Sequence, residues 1–238
     1  MTDLLYQSDS YMRRFEAHVV QVDADEGAIA LDRTAFYPGG GGQPCDTGWI
    51  EINSSRSTVQ GVKRIEEHVW HWLTGGMGQV GTPIRGEIDW ERRYALMRTH
   101  TALHVLCGVV WRAYGAKVTG GNMEPLKGRM DFEFESLRRE LVQEIEEKVN
   151  EEIAKDHPVR VRILPREEAF QIPDLIRTKI NLLPEGITRV RVVEIGELDL
   201  QADGGTHVAK TSEIGTVRIV DYKSKGRINK RLEIAVEP

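Results

Sequence analysis

Residues 90–115 read WERRYALMRTHTALHVLCGVVWRAYG, and they divide the chain into two regions of different pattern. No glycine interrupts the stretch before Gly108, and apolar residues such as Leu96, Leu103, Leu106 and Val110 recur at helical spacing. The pattern predicts a long, largely buried helix. On its N-terminal side the segments EAHVVQVD, AIALD, WIEIN, EEHVWHWL and PIRGEID are short, partly alternating and β-branched, with turn residues between them. They predict a small barrel or curled sheet over residues 1–89, in which His18, His68 and His71 are packed or surface side chains rather than ligands.

On the C-terminal side, GRMDFEFE alternates like a strand. A second helix is expected to open at Ser136 as N-cap and to bury Leu137, Leu141, Ile145, Val149 and Ile153 on one face, its glutamates facing water. Pro158 stops it, and VRVRIL, RVRVVEIG, GTVRIVDYK and KRLEIAV supply further strands. Residues 90–238 therefore predict an α+β domain, helices packed on an antiparallel sheet.

The 238 residues are 40% apolar and 29% charged, as in globular proteins. No apolar run approaches the roughly 20 residues of a membrane span, and MTDLLYQSDSYMRRF lacks a signal-peptide pattern. A cytoplasmic location and no membrane partner are the expectations. Cys45 and Cys107 are the only cysteines, which excludes a disulfide framework and favours reduced thiols. The net charge of −5 argues against a polyanionic partner, but acid is concentrated locally in SLRRELVQEIEEKVNEEIAKD, where seven acidic residues outnumber four basic ones. By contrast, KSKGRINKR gathers Lys223, Lys225, Arg227, Lys230 and Arg231. Such a patch either steers a nucleic acid or is a solvated hairpin tip.

On the predicted long helix, His100 and His104 stand four residues apart and present both imidazoles on one face. Metal ligation and ordinary core packing are both compatible with that pair. No glutamate follows the first histidine, so the metalloprotease pattern with its built-in base is absent. In QADGGTHV, Asp203 and His207 repeat the interval around Gly204 and Gly205, outside any regular element in this reading; the glycines are expected to fold the backbone tightly. Together the two pairs would make a set of three histidines and one carboxylate, suited to zinc.

DWERRYALMRTHTALHVL, followed by DLQADGGTHVAKTSEIG, resembles the editing domain of alanyl-tRNA synthetase and its free-standing relatives, the AlaX proteins. RTAFYPGGGGQPCDTG, residues 33–48, is similar to the signature of the small barrel that precedes that domain. The family usually carries cysteine where this chain has Asp203, a harder oxygen ligand, and the departure bears on metal occupancy and identity. Cys107, three residues after His104, stands either as a substitute ligand or as a buried, apolar-like thiol.

The resemblance implies a Zn²⁺-dependent hydrolase that removes serine, and sometimes glycine, from tRNA specific for alanine. An alanine-activating pocket cannot strongly reject glycine or serine, so a second site must remove what the first admits. A second site that hydrogen-bonds the serine hydroxyl can discriminate on the order of 10⁴-fold. Thr34 and Gln43, polar positions of the glycine-rich segment, are the candidate readers of that hydroxyl. Gly41 and Gly42, with the five basic residues, are assigned to substrate or tRNA contact. No GK[ST] follows the glycines, which excludes a P-loop. No activating module is expected beside these segments, so the editor works in trans on finished aminoacyl-tRNA. Alternative expectations are editing of seryl-tRNA specific for threonine, a small-ester hydrolase without tRNA, or a tRNA-binding module with a degenerate metal site.

Overall fold

A computed structural model describes residues 1–178, 183 and 186–238 of the chain. It has two compact units, Met1–Tyr94 and Ala95–Pro238. In the first, β1 (Asp3–Leu4) pairs in parallel with the short β4 (Arg33–Thr34). The remaining strands are β2 (Arg14–Asp23), β3 (Ala28–Leu31), β5 (Gly48–Ile52), β6 (Ser55–Ile65), β7 (His68–Leu73) and β8 (Pro83–Ile88). They close an antiparallel barrel in the order β2-β3-β7-β6-β5-β8.

Alternation explains the interior. Along β2, Phe15, Ala17 and Val19 are buried while Arg14, Glu16 and His18 face water. Ile29, Leu31, Ile50, Val59, Val69 and Ile84 complete the same core. Sequence patterning missed β6, because SRSTVQGVKRI carries two buried valines among polar residues and is displaced by a bulge between Val59 and Gly61. Among the histidines, His18 is exposed beside Asp32, and His71 is packed in the barrel.

The predicted long helix is α1, Trp90–Tyr114. Asp89 caps it by accepting from Arg92 N–H at 3.2 Å, and Gly115, at φ +64°, ends it by donating to the Trp111 carbonyl. The second unit adds β9 (Val118–Glu124) and β10 (Lys127–Glu133), then α2 (Arg139–Ala154), β11 (Val159–Pro165) and the single-turn α3 (Arg166–Ala169). It is completed by β12 (Arg189–Ile195), β13 (Asp199–Ala202), β14 (Thr216–Ser224) and β15 (Asn229–Glu237). Two antiparallel sheets result, β14-β15-β10-β9 and β11-β12-β13.

Two expectations need correction. The second helix starts at Arg139, with Arg138 rather than Ser136 at the N-cap position, and it buries Val142, Ile145, Val149 and Ile153. Leu141 is only half-buried. A four-residue step advances by slightly more than one turn of 3.6, so the apolar stripe drifts and Val142 takes the inward place. Its glutamates are not all simply solvated: Glu146 pairs with Arg218 and accepts from Ile219 N–H. Asp203, in turn, directly continues β13, which sequence reading did not recognise as a strand.

Gly108 shapes α1 for its role. A Cβ there would lie 2.9 Å from Leu198 Cγ and 3.3 Å from Asp199 Cβ, so the absent side chain lets the start of β13 approach the helix. The β13 residues alternate: Leu200 and Ala202 pack on the small core of Ala169, Leu175, Val190 and Val192. Asp199, Gln201 and then Asp203 share the opposite parity, and the first two face α1, where they meet His104 and Cys107.

Candidate metal centre and recognition loop

His100 and His104 from α1 meet Asp203 and His207 from the segment after β13. One ligand atom from each lies within 4.8 Å of the others. The three imidazoles are buried, and Asp203 is nearly so. Asp203 Oδ2 is 3.4 Å from His100 Nε2 and 3.8 Å from His104 Nε2; Oδ1 is 3.0 Å from His207 Nε2. Oδ1 also accepts from Gly205 N–H at 2.7 Å, closing the turn, while neither Gly204 nor Gly205 adopts a positive φ. The aspartate side chain, rather than glycine freedom, therefore forms this bend.

The nitrogens pointing away from the centre are held as well. His104 Nδ1 is 2.9 Å from Asp199 Oδ2, and His207 Nδ1 is 3.2 Å from Thr101 Oγ1. Asp199 is bonded in turn by Arg177 and by Gln201 Nε2. Alternation in DLQAD was the sequence signal for Asp199, since it places 199, 201 and 203 on one face.

Electrostatics suit a cation. Burial alone would raise the Asp203 carboxyl, but the charge and hydrogen bond of His100, with the bonds from His104 and His207, hold it well below the usual carboxylate range. Burial disfavours charge on His104 too, yet Asp199 and Asp203 on its two nitrogens raise it to about 9. His207 is driven well below its ordinary value by burial and by the neighbouring charge of His100. Its Nδ1 faces Thr101, so a neutral His207 turns a bare Nε2 toward Asp203 Oδ1. Lone pairs facing at that distance call for a proton or a cation between them. A donor set of three imidazoles and a carboxylate fits a borderline divalent ion such as zinc. Cys107 stands outside the set: its buried thiol accepts from Gln201 Nε2 at 3.4 Å and is pushed up to about 12 by burial and by Asp199.

In the barrel unit, Thr34 is fully buried. Its Oγ1 lies 2.9 Å from His71 Nε2 and accepts from Phe36 N–H. Gln43 is also buried and bridges to Gly40 through the backbone across a turn in which Gly41 and Gly42 have φ of +57° and +88°. Sequence reasoning missed the group that holds this loop. Asp46 is buried against Arg93, whose guanidinium also donates to the Ala35 and Ser10 carbonyls, and Asp46 Oδ2 accepts from Tyr37 N–H at 2.6 Å.

Residues 190–233 match the threonyl and alanyl tRNA synthetase second additional domain, and residues 9–92 match the tRNA synthetases class II (A) family. The chain is 39% identical to the alanyl-tRNA editing protein AlaX-M of Saccharolobus solfataricus over 100% of both chains. It is 38% identical to AlaX-M of Methanosarcina acetivorans over 98% of each. The chain belongs to the AlaX family. Alanine–tRNA ligase of Pyrobaculum calidifontis is also similar, 38% identical over 90% of this chain but only 24% of the ligase. Of the two, the AlaX relatives match this chain end to end.

The basic hairpin of this AlaX chain differs from its sequence-level appearance. Lys223 bonds Glu233 and Asp221, Lys230 is buried with its ammonium on the Gly226 and Arg227 carbonyls, and Arg231 pairs with Asp131. Among the described residues, Lys225 and Arg227 show neither a side-chain ion pair nor a side-chain hydrogen bond, whereas the other three basic side chains are held. Cross-strand pairing between β14 and β15 places Lys223 opposite Arg231, where each needs its own carboxylate to offset the like charge.

Proposed function

We propose that this protein is a trans-editing aminoacyl-tRNA deacylase that hydrolyses serine, and secondarily glycine, from tRNA specific for alanine, using zinc held by His100, His104, Asp203 and His207. The observation that carries this reading is the convergence of those four side chains in a chain whose end-to-end relatives are alanyl-tRNA editing proteins. In the reaction, water adds to the acyl carbon and the ester bond to the terminal ribose breaks, releasing the amino acid and free tRNA. A bound ion would supply Lewis-acid chemistry, either by lowering the pKa of a water or by anchoring the substrate while a separately held water attacks.

The chain's own groups fix that site and select the substrate. Asp199 and Thr101 hold the outer nitrogens of two ligand rings. Thr34 and Gln43 are assigned to reading the serine hydroxyl. Since His71 is neutral and its Nδ1 lies 3.4 Å from the Ile29 carbonyl, its Nε2 takes the Thr34 proton. Thr34 is thereby left as an acceptor, complementary to a hydroxyl and indifferent to a methyl group. Lys225 and Arg227 supply the tRNA-facing charge, and the cytoplasm is the proposed location, where charged tRNA is found.

The test is release of serine from seryl-tRNA specific for alanine, with and without chelator and with His104→Ala. Chelator-sensitive release that spares alanyl-tRNA is expected. Faster release from seryl-tRNA specific for threonine would move the assignment to that tRNA, turnover of small seryl esters without tRNA would favour a general esterase, and tRNA binding without release would leave a binding module.

A further inference from the structure

The hydrogen bonds around the metal centre specify where protons sit, and we infer that Asp199 and Thr101 are positioning residues that set the tautomers of His104 and His207. The inference rests on the metal reading of the site. A neutral imidazole ligates through Nε2 only if its proton is on Nδ1. Thr101 has one hydroxyl proton, and the Met97 carbonyl, which can only accept, takes it at 2.8 Å. Thr101 Oγ1 must then accept at 3.2 Å from Val208 N–H and at 3.2 Å from His207 Nδ1–H. His207 Nε2 is left bare.

Asp199 does the same for His104. Its Oδ2 accepts from His104 Nδ1–H and from Gln201 Nε2 at 2.8 Å, while Oδ1 faces Arg177. Arginine has donors and no acceptor. Arg177 therefore fixes which edge of residue 199 must be an oxygen. In an Asp199→Asn chain the amide oxygen stays on the Arg177 side, and the amide nitrogen falls opposite His104 Nδ1. That N–H donates to Nδ1 and drives the imidazole proton to Nε2, where it occupies the ligating lone pair. Gln201 can rotate its own amide to accept from the new group. The substitution removes little volume, so its effect is on the proton.

The experiment is Zn²⁺ affinity by competition with a chromophoric chelator, paired with ¹⁵N spectra of the histidine side chains in the metal-free protein at alkaline pH. Asp199→Asn is expected to weaken zinc 10- to 100-fold and to move the His104 proton from Nδ1 to Nε2. Unchanged zinc affinity, or a proton that stays on Nδ1, would overturn the inference. If Asp199→Asn does not fold, Thr101→Val makes the same test through His207, with loss of the Nδ1–H signature and weaker zinc expected. A wild-type protein that takes no zinc would defeat the metal reading instead, while the spectra still decide the tautomers.

Discussion

Asp46 is a buried carboxylate and Asp203 a nearly buried one, both in glycine-rich segments, yet their surroundings differ in kind. Asp46 is matched by a guanidinium and a backbone N–H, all fixed donors with permanent protons. Asp203 also accepts from the Gly205 N–H and has the Arg191 guanidinium 3.9 Å away, but it faces three imidazoles, whose nitrogens donate or accept according to where their protons lie. The first arrangement is complete as it stands and holds a loop in shape. The second can exchange protons for a metal ion, since metal binding requires neutral histidine and releases protons. What distinguishes a structural carboxylate from a ligand here is therefore the partner, not burial.

The largest expected effect breaks the first member of the pair. Arg93→Leu strands a buried Asp46 and should cost about 4 kcal/mol in denaturant unfolding of the barrel unit; a loss below about 1 kcal/mol would show that water enters and resolvates the carboxylate. Next comes the barrel's buried imidazole. Burial lowers His71 from 6.5 to about 4. Between those values the unfolded chain binds the extra proton, so stability falls as pH drops from about 6.5 toward 4, by roughly 3 kcal/mol in total. Subtracting the stability–pH profile of His71→Asn isolates this contribution, and parallel profiles would contradict it.

Zinc should act on the other member alone. At a free concentration about 100 times its dissociation constant it stabilises the folded second unit by about 2.7 kcal/mol. Calorimetry should show one unfolding transition rising, with no rise after Asp203→Ala and no dependence on Arg93. A smaller effect comes from Gly108→Ala. Better helix propensity offsets part of the contact with Leu198 and Asp199, for a net loss of about 1 kcal/mol and a weaker zinc site with the barrel unaltered. Finally, Lys225→Ala with Arg227→Ala leaves both carboxylate sites intact; it should lower the salt slope of tRNA binding by roughly two, whereas Lys230→Ala should destabilise its hairpin instead.

Local pattern carried much of this protein. Helical spacing in residues 90–115, alternation in β2, β10, β11 and β15, and the HTALH and DGGTH intervals each reflect contacts within a few residues, and these are readable from order alone. The spacing did not reveal β13, because four residues ending beside a Gly-Gly pair look like a turn until Leu200 and Ala202 are seen in a core. Nor could it separate the five basic residues of the hairpin, since Lys230 and Arg231 differ from Lys225 only in what folding sets beside them.

The sequence by itself determined the family resemblance, the α+β class, the barrel and the four candidate ligands. Only the tertiary structure decided that Asp199 stands behind His104, 95 residues away, that Thr101 stands behind His207, 106 residues away, and that Asp46 is matched to Arg93. The physical reason is that periodicity encodes which face a side chain presents, whereas a hydrogen bond needs two atoms within about 3 Å. That distance is fixed by how helix and strand pack, and in this chain by the missing side chain at Gly108 that lets β13 approach α1.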